Sequence, residues 1–163
     1  MSKKILIVCA LPQETQNELN EYDVLYTGVG KINATYALTR HLPLNFDYDL
    51  IVNYGTSASK TQSGLVDCTK FIQRDMDATP MGFDMSETPF DNEPSMIDFS
   101  HINNPIGNNL TCYTGDSFVT DIQDMDVGNA DDWEKNCGKG VLEFKKILNH
   151  YEQSKVINIH TGR

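Results

Sequence analysis

Lys4-Ile5-Leu6-Ile7-Val8-Cys9-Ala10 decides the fold class. The run is apolar at consecutive rather than alternate positions, which suits a strand buried on both faces, as in a parallel sheet. Leu11-Pro12-Gln13-Glu14 ends it, and Pro12 stands where a helix can start, so Gln13 to Asn20 is expected as a short helix. Outward from there, Val24-Leu25-Tyr26-Thr27 reads as a second strand. It runs into Gly28-Val29-Gly30-Lys31 and then a helix from Ile32 to about His41, ended by Pro43. Leu50-Ile51-Val52-Asn53 is a third strand, followed by Gly55-Thr56-Ser57-Ala58-Ser59, and Leu65 to Gln73 is a fourth.

The next stretch, about Thr79 to Asn109, is rich in Pro, Asn, Asp, Ser and Met and is expected as long loops. Leu110 to Tyr113 is a strand leading into Thr114-Gly115-Asp116-Ser117-Phe118. Asp131-Asp132 suits a helix N-cap and first turn, with the helix continuing from Trp133 to Tyr151. Glu152 to Arg163 reads as a polar tail or as a final strand around Val156-Ile157. Strand, glycine turn and helix in alternation give an α/β class with a mostly parallel sheet, as one domain over residues 1–163. In such sheets ligands bind beyond the carboxyl ends of the strands, where Glu14, Gly28, Gly30, Thr56, Ser57, Asp116 and Phe118 fall.

Composition narrows the partners. The 163 residues are 39% hydrophobic and 22% charged, ordinary for a globular chain, and carry a net charge of −10. That sign opposes nucleic acid and acidic membrane surfaces, but leaves room for a small neutral ligand. The apolar run after Lys3-Lys4 is too short for a signal peptide or a membrane span. Cys9, Cys68, Cys112 and Cys137 are widely spaced with no C-x-x-C pair, so they read as reduced thiols in a cytoplasmic protein, mostly packing in strands.

Motifs of chemistry are sparse when read by spacing alone. Gly28-Val29-Gly30-Lys31 lacks the third glycine of a dinucleotide fingerprint and the spacing of a Walker loop; a tight turn into a helix is the plainer reading. Glu14 by spacing is a solvated carboxylate, and Asp75 and Asp77 are solvated or arginine-paired charges. His41, His101, His150 and His160 show no metal-ligand spacing, and there is no G-x-S-x-G nucleophile elbow.

Read together, five stretches resemble the methylthioadenosine/S-adenosylhomocysteine nucleosidases of the nucleoside phosphorylase superfamily. Ile7 to Glu14 is similar to the family's first strand and acidic turn. Thr27-Gly28-Val29-Gly30-Lys31-Ile32-Asn33-Ala34 is similar to its S-G-[IV]-G-K-x-N-A segment, and Asn53 to Ala58 to its N-x-G-[ST]-A-G turn. Gly64 to Asp67 with Arg74 to Asp77, and Thr114 to Val119, resemble a strand with its D-x-D element and the S-G-D-x-F-[IV] segment.

The resemblance implies a three-layer phosphorylase/hydrolase-like α/β fold with a central mixed, largely parallel sheet. It implies N-glycosidic hydrolysis of an adenine nucleoside, without a cofactor, in a homodimer or higher homo-oligomer. It gives Glu14 to the attacking water, Thr56, Ser57 and Ala58 to the ribosyl side, Phe118 to the purine face and Val119 to the base edge. Met81, Phe83 and Pro89 match positions that reach over the 5′-substituent of a neighbouring subunit's ligand. Phosphorolysis would need cationic residues for phosphate, and only Lys31 and Arg40 stand near the glycine turn.

The chain departs from the family after Phe118. The family continues through a V-x-M-E-x-x-A helix, whose Met-Glu pair holds the ribose hydroxyls, and a strand ending S-D-x-A-D, whose Asp protonates the base. Here Phe118-Val119-Thr120-Asp121 is followed almost at once by Asp124-Met125-Asp126-Val127-Gly128, as if that helix and strand were deleted and the fold shortened. Asp124-Met125-Asp126 is an alternative, compressed substitute, with Asp126 in the place of the glutamate. A catalytically inactive nucleoside- or nucleotide-binding protein on the same fold is therefore the competing expectation to a hydrolase.

Overall fold

The computed structural model describes residues 3–45, 47–59, 61–102, 104, 106–117 and the backbone of 156–162. Phe118, Val119, Asp126, Cys137 and the helix expected over Trp133 to Tyr151 lie outside the described residues.

Strand β1 (Ile5–Cys9) is buried along its whole length, as its unbroken apolar run requires. It pairs in parallel with β2 (Asp23–Tyr26) on one edge and β3 (Leu50–Thr56) on the other. Strand β3 in turn pairs in parallel with β7 (Val156–Gly162), from Ile51↔Val156 to Thr56↔Thr161. The carboxyl ends of these four strands therefore share one edge. Of the two readings open for the final residues, the strand is the one observed over Val156–Gly162.

The remaining strands make the sheet mixed. β4 (Gly64–Gln73) runs antiparallel to β7 over Gly64 to Cys68 and antiparallel to β5 (Met96–Asp98) over Lys70 to Ile72. β6 (Leu110–Thr114) lies parallel to β4. Cys68 pairs with both β7 and β6, and Phe71 with both β5 and β6. A strand has two edges, so β6 holds one and β7 and β5 share the other. The register shifts between Cys68 and Lys70, a bulge of the kind that bends a strand. The α/β class and the mixed, largely parallel sheet are thus as expected.

The main core lies on one face of the parallel half. Ile5, Ile7 and Cys9 alternate along β1 and meet Leu50, Val52 and Tyr54 of β3, with Leu19 packed against them. Each fully buried aliphatic side chain of this kind contributes about 1.5–3 kcal/mol. Val66 and Cys68 of β4 form a smaller cluster with Phe71, Leu110 and Cys112 around them.

Two elements differ from expectation. Helix α1 is only Pro12–Thr15, because Gln16 and Asn17 take left-handed φ of 48° and 61° and close it. The loop region carries a 3-10 turn at Thr79–Met81 as well as β5, a strand too short to show as a pattern. Helix α2 (Lys31–His41) forms as expected and runs on through Pro43 into a 3-10 turn, Leu42–Leu44. No helix among the described residues is long and apolar enough to cross a membrane.

Candidate active site

Glu14 is set by three local features. The end of β1 delivers the chain to Leu11, Pro12 occupies the first helical position, and Glu14 stands third in the short helix. From there its side chain reaches back and Oε2 accepts the Leu11 N–H at 3.0 Å, the return half of a capping box. The Cys9 thiol donates to the same oxygen at 3.2 Å. Across the sheet, Oε1 accepts both the Thr56 N–H at 3.1 Å and the Thr56 hydroxyl at 3.0 Å. Glu14 is 6% exposed. The solvated carboxylate suggested by spacing is therefore corrected: the group is buried, and four neutral donors satisfy it.

Thr56 closes β3, and Ser57 and Ala58 follow it into the interior. The Ser57 hydroxyl is buried with no hydrogen-bond partner among the described residues. A buried hydroxyl without a partner is uncommon in native interiors.

The glycine turn is stitched to the same strand end. The Thr27 N–H donates to the Cys9 carbonyl at 2.9 Å and the Gly28 N–H to the Ala10 carbonyl at 3.0 Å. Gly28 and Gly30 have φ of 81° and 97°, which side-chain-bearing residues rarely adopt, so the tight-turn reading holds. Gly30 leads directly into α2.

A second, charged cluster fastens that turn to β4 and β6. The Lys31 N–H, first in α2, donates to Asp116 Oδ1 at 2.9 Å. The Lys31 ammonium meets Asp75 at 2.6 Å and Gln73 at 3.3 Å, with Asp116 4.0 Å away. The Asp116 N–H donates to Asp75 Oδ2 at 2.8 Å. Hydrogen bonding from Lys31, then from the Asp116 backbone, holds the Asp75 carboxyl below its ordinary range. β4 and β6 run opposite to β1, yet Gln73, Asp75 and Asp116 at and beyond their ends reach this turn.

The pairing expected for Asp75 is corrected by this geometry. Its partner is Lys31, because Arg74 turns the other way and donates to the hydroxyl and carbonyl of Ser117. Asp77 instead caps the next turn, accepting from the Thr79 N–H and hydroxyl at 3.0 and 2.6 Å. Met81 and Phe83 sit in and just after that turn, with Pro89 further along the same loop. Phe83 packs edge-on against Phe90 at 5.4 Å, and Phe90 is 92% exposed. None of these loop residues is among the hydrogen-bond partners of Glu14.

Sequence reasoning brought Glu14 and Thr56 to one edge correctly and missed the Cys9 contact. Cys9 lies five residues before Glu14 in an apolar strand, where a cysteine reads as packing. The Lys31–Asp75–Asp116 cluster was also missed, because its members are more than 40 residues apart in sequence.

No family model and no curated protein sequence matches the chain. Solved structures do. A Helicobacter pylori nucleosidase variant with 5′-methylthioadenosine in its active site matches with a TM-score of 0.67 at 15% identity, over 99% of this chain and 85% of that one. The Campylobacter jejuni 5′-methylthioadenosine/S-adenosylhomocysteine nucleosidase gives 0.65 at 16%, over 99% and 85%. A Helicobacter pylori futalosine hydrolase mutant gives 0.65 at 15%, over 98% and 89%. The chain carries, in shortened form, the fold that these nucleosidases and futalosine hydrolase share.

Proposed function

We propose that the protein hydrolyses the N-glycosidic bond of an adenine nucleoside of the methylthioadenosine or S-adenosylhomocysteine type. The observation that carries this reading is the buried Glu14 carboxylate bound to the Thr56 turn, with the unpartnered Ser57 hydroxyl next in sequence. In this reading, the water oxygen attacks the anomeric carbon as the carbon–nitrogen bond breaks, and Glu14 takes the water's proton. The electron pair of the broken bond leaves with adenine, which takes a proton at N7 from solvent, and the proton on Glu14 returns to solvent to complete the cycle. Thr56, Ser57 and Ala58 line the sugar, Phe118 stacks on the purine and the Val119 backbone reads its edge. Asp126 takes the ribose-side role of the missing Met-Glu pair.

Water is favoured over phosphate as the nucleophile. Among the described residues, the basic side chains that the glycine turn and α2 supply are already engaged: Lys31 by Asp75 and Gln73, and Arg40 by the Tyr36 hydroxyl at 2.7 Å. The first N–H of α2 is likewise taken by Asp116. Uncommitted cationic groups for a phosphate are what phosphorolysis would require.

The protein works in this reading as a cytoplasmic homodimer or higher homo-oligomer. Met81, Phe83 and Pro89 of one copy cover the 5′-substituent bound by another. The exposure of Met81, Met85 and Phe90 on that loop supports a covered surface, as does that of Ile32 and Tyr36 on α2.

One observation favours a second reading, a nucleoside-binding protein without turnover. All four acceptor positions of Glu14 are filled by protein donors, so a water must displace one of them. Incubation with methylthioadenosine, S-adenosylhomocysteine and 5′-deoxyadenosine separates the two. Adenine release supports hydrolysis; saturable binding of the same nucleosides with no release supports the second reading.

A further inference from the structure

We infer that Cys9 is a positioning residue for Glu14: its thiol fixes one carboxylate oxygen, so that the other is the one offered to water. The inference rests on the reading of Glu14 as the water-side acid.

The four donors on Glu14 are unequal. Oε2 lies on the dry side, held by the Leu11 N–H and by Cys9, whose side chain is fully buried. Oε1 lies on the Thr56 side, held by a backbone N–H and by a hydroxyl on a half-buried residue. A backbone N–H cannot swing away, and the two side-chain donors can. Of those two, Cys9 is enclosed by the core formed by β1 and β3, whereas Thr56 is half-buried at the end of β3. A water therefore enters by replacing the Thr56 hydroxyl at Oε1, provided Oε2 stays anchored. The alternative acceptor for the thiol, the Leu11 carbonyl at 3.6 Å, is farther than the carboxylate.

The thiol is kept as a donor by its surroundings. Burial, followed by the negative charge of Glu14, pushes its ionisation well above the ordinary range, so the proton stays on sulfur. Among the described residues, Cys9 on β1 is the titratable group bonded to Glu14, and from β3 the facing groups are the neutral Thr56 donors. Among the described residues no ion pair involves Glu14. An apolar side chain at position 9 would fill the space but leave a buried carboxylate oxygen with a single donor, an expensive state in a dry interior.

The test uses Cys9→Ala, Cys9→Ser and Glu14→Gln in the full chain, with two readouts. In the infrared spectrum, the S–H stretch isolated by subtracting Cys9→Ala is expected to move to higher frequency in Glu14→Gln, because a neutral amide is a weaker acceptor than a carboxylate. In methylthioadenosine turnover, Cys9→Ala is expected to lower kcat by about 3- to 10-fold with KM unchanged, and Cys9→Ser to recover to within about twofold of wild type. A core-packing role alone would reduce thermal stability in Cys9→Ala without this kcat-specific loss and without rescue by serine. An S–H band that does not respond to Glu14→Gln overturns the inference, as does a kcat that does not respond to Cys9→Ala. If the wild-type protein releases no adenine, the assigned role of Glu14 fails on its own. The infrared comparison then still decides the thiol contact, a moving band supporting it and a fixed band overturning it.

Discussion

Glu14 and Asp75 are both carboxylates just beyond a strand, and they are held in opposite ways. Glu14 is buried and surrounded by neutral donors from β1, the start of α1 and the end of β3. Asp75 is partly exposed and held chiefly by a lysine ammonium, with the Asp116 N–H on its second oxygen. The first arrangement fixes a carboxylate in a dry place by hydrogen bonds alone, without a cationic partner among the described residues. The second neutralises its charge and serves to tie the glycine turn and α2 to β4 and β6. Chemistry is expected from the first and architecture from the second.

Glu14→Gln should break the dry arrangement with the largest effect. The amide nitrogen must face either the Thr56 N–H or the Leu11 N–H, and so orphans one buried donor whichever way it turns. Adenine release is expected to fall by about 10²- to 10⁴-fold. The unfolding free energy should drop by about 1–3 kcal/mol, measured by denaturant titration. Retained turnover would remove Glu14 from the reaction.

Thr56→Val sharpens the same region with a smaller effect. The strand-compatible shape and the backbone donor remain, and only the hydroxyl is lost, worth about 1 kcal/mol. Steady-state assays should show kcat/KM within about twofold of wild type, because in the reaction a water takes that hydroxyl's place on Oε1.

Asp75→Asn should behave differently. Its stability loss is expected to be about 1 kcal/mol at low ionic strength, because the pair is partly exposed. The difference should shrink in about 1 M salt, where exposed charges are screened. The pH sign follows from the lowered carboxyl of Asp75. Its contribution is present above the ordinary value of 3.8 and is lost as pH falls through the lower folded-state value. Wild type and variant should therefore converge in acid unfolding experiments below that range, with turnover at neutral pH little changed.

Ser57→Ala is the smallest change. Without ligand, stability should stay the same or rise slightly, because the hydroxyl has no partner among the described residues to lose. Nucleoside affinity by calorimetry should weaken several-fold. Unchanged affinity would show that the open hydroxyl does not meet the ligand.

Strands β1, β2 and β3 were legible because each is an apolar run, with Pro12 or Gly28 just past the first two and Gly55 near the end of the third. α1 was read too long because its end depends on left-handed Gln16 and Asn17, and only backbone geometry reveals that they stop a helix. β5 was missed because three exposed residues become a strand only by pairing with the far half of β4. β7 stayed open for a related reason: its neighbours on both edges, β3 and β4, make it a strand. At the site, Glu14 by itself resembled any surface acid. Its proposed role came from the resemblance of five ordered motifs, and its burial from the joining of Leu11 and Thr56 across 45 positions, which spacing does not express.

The most direct test of the hydrolytic account is product analysis with methylthioadenosine in phosphate-free buffer. The account predicts adenine and free methylthioribose in equal amounts, with no acceleration on adding phosphate. Absence of adenine, or adenine appearing only with phosphate and alongside a sugar phosphate, would contradict it.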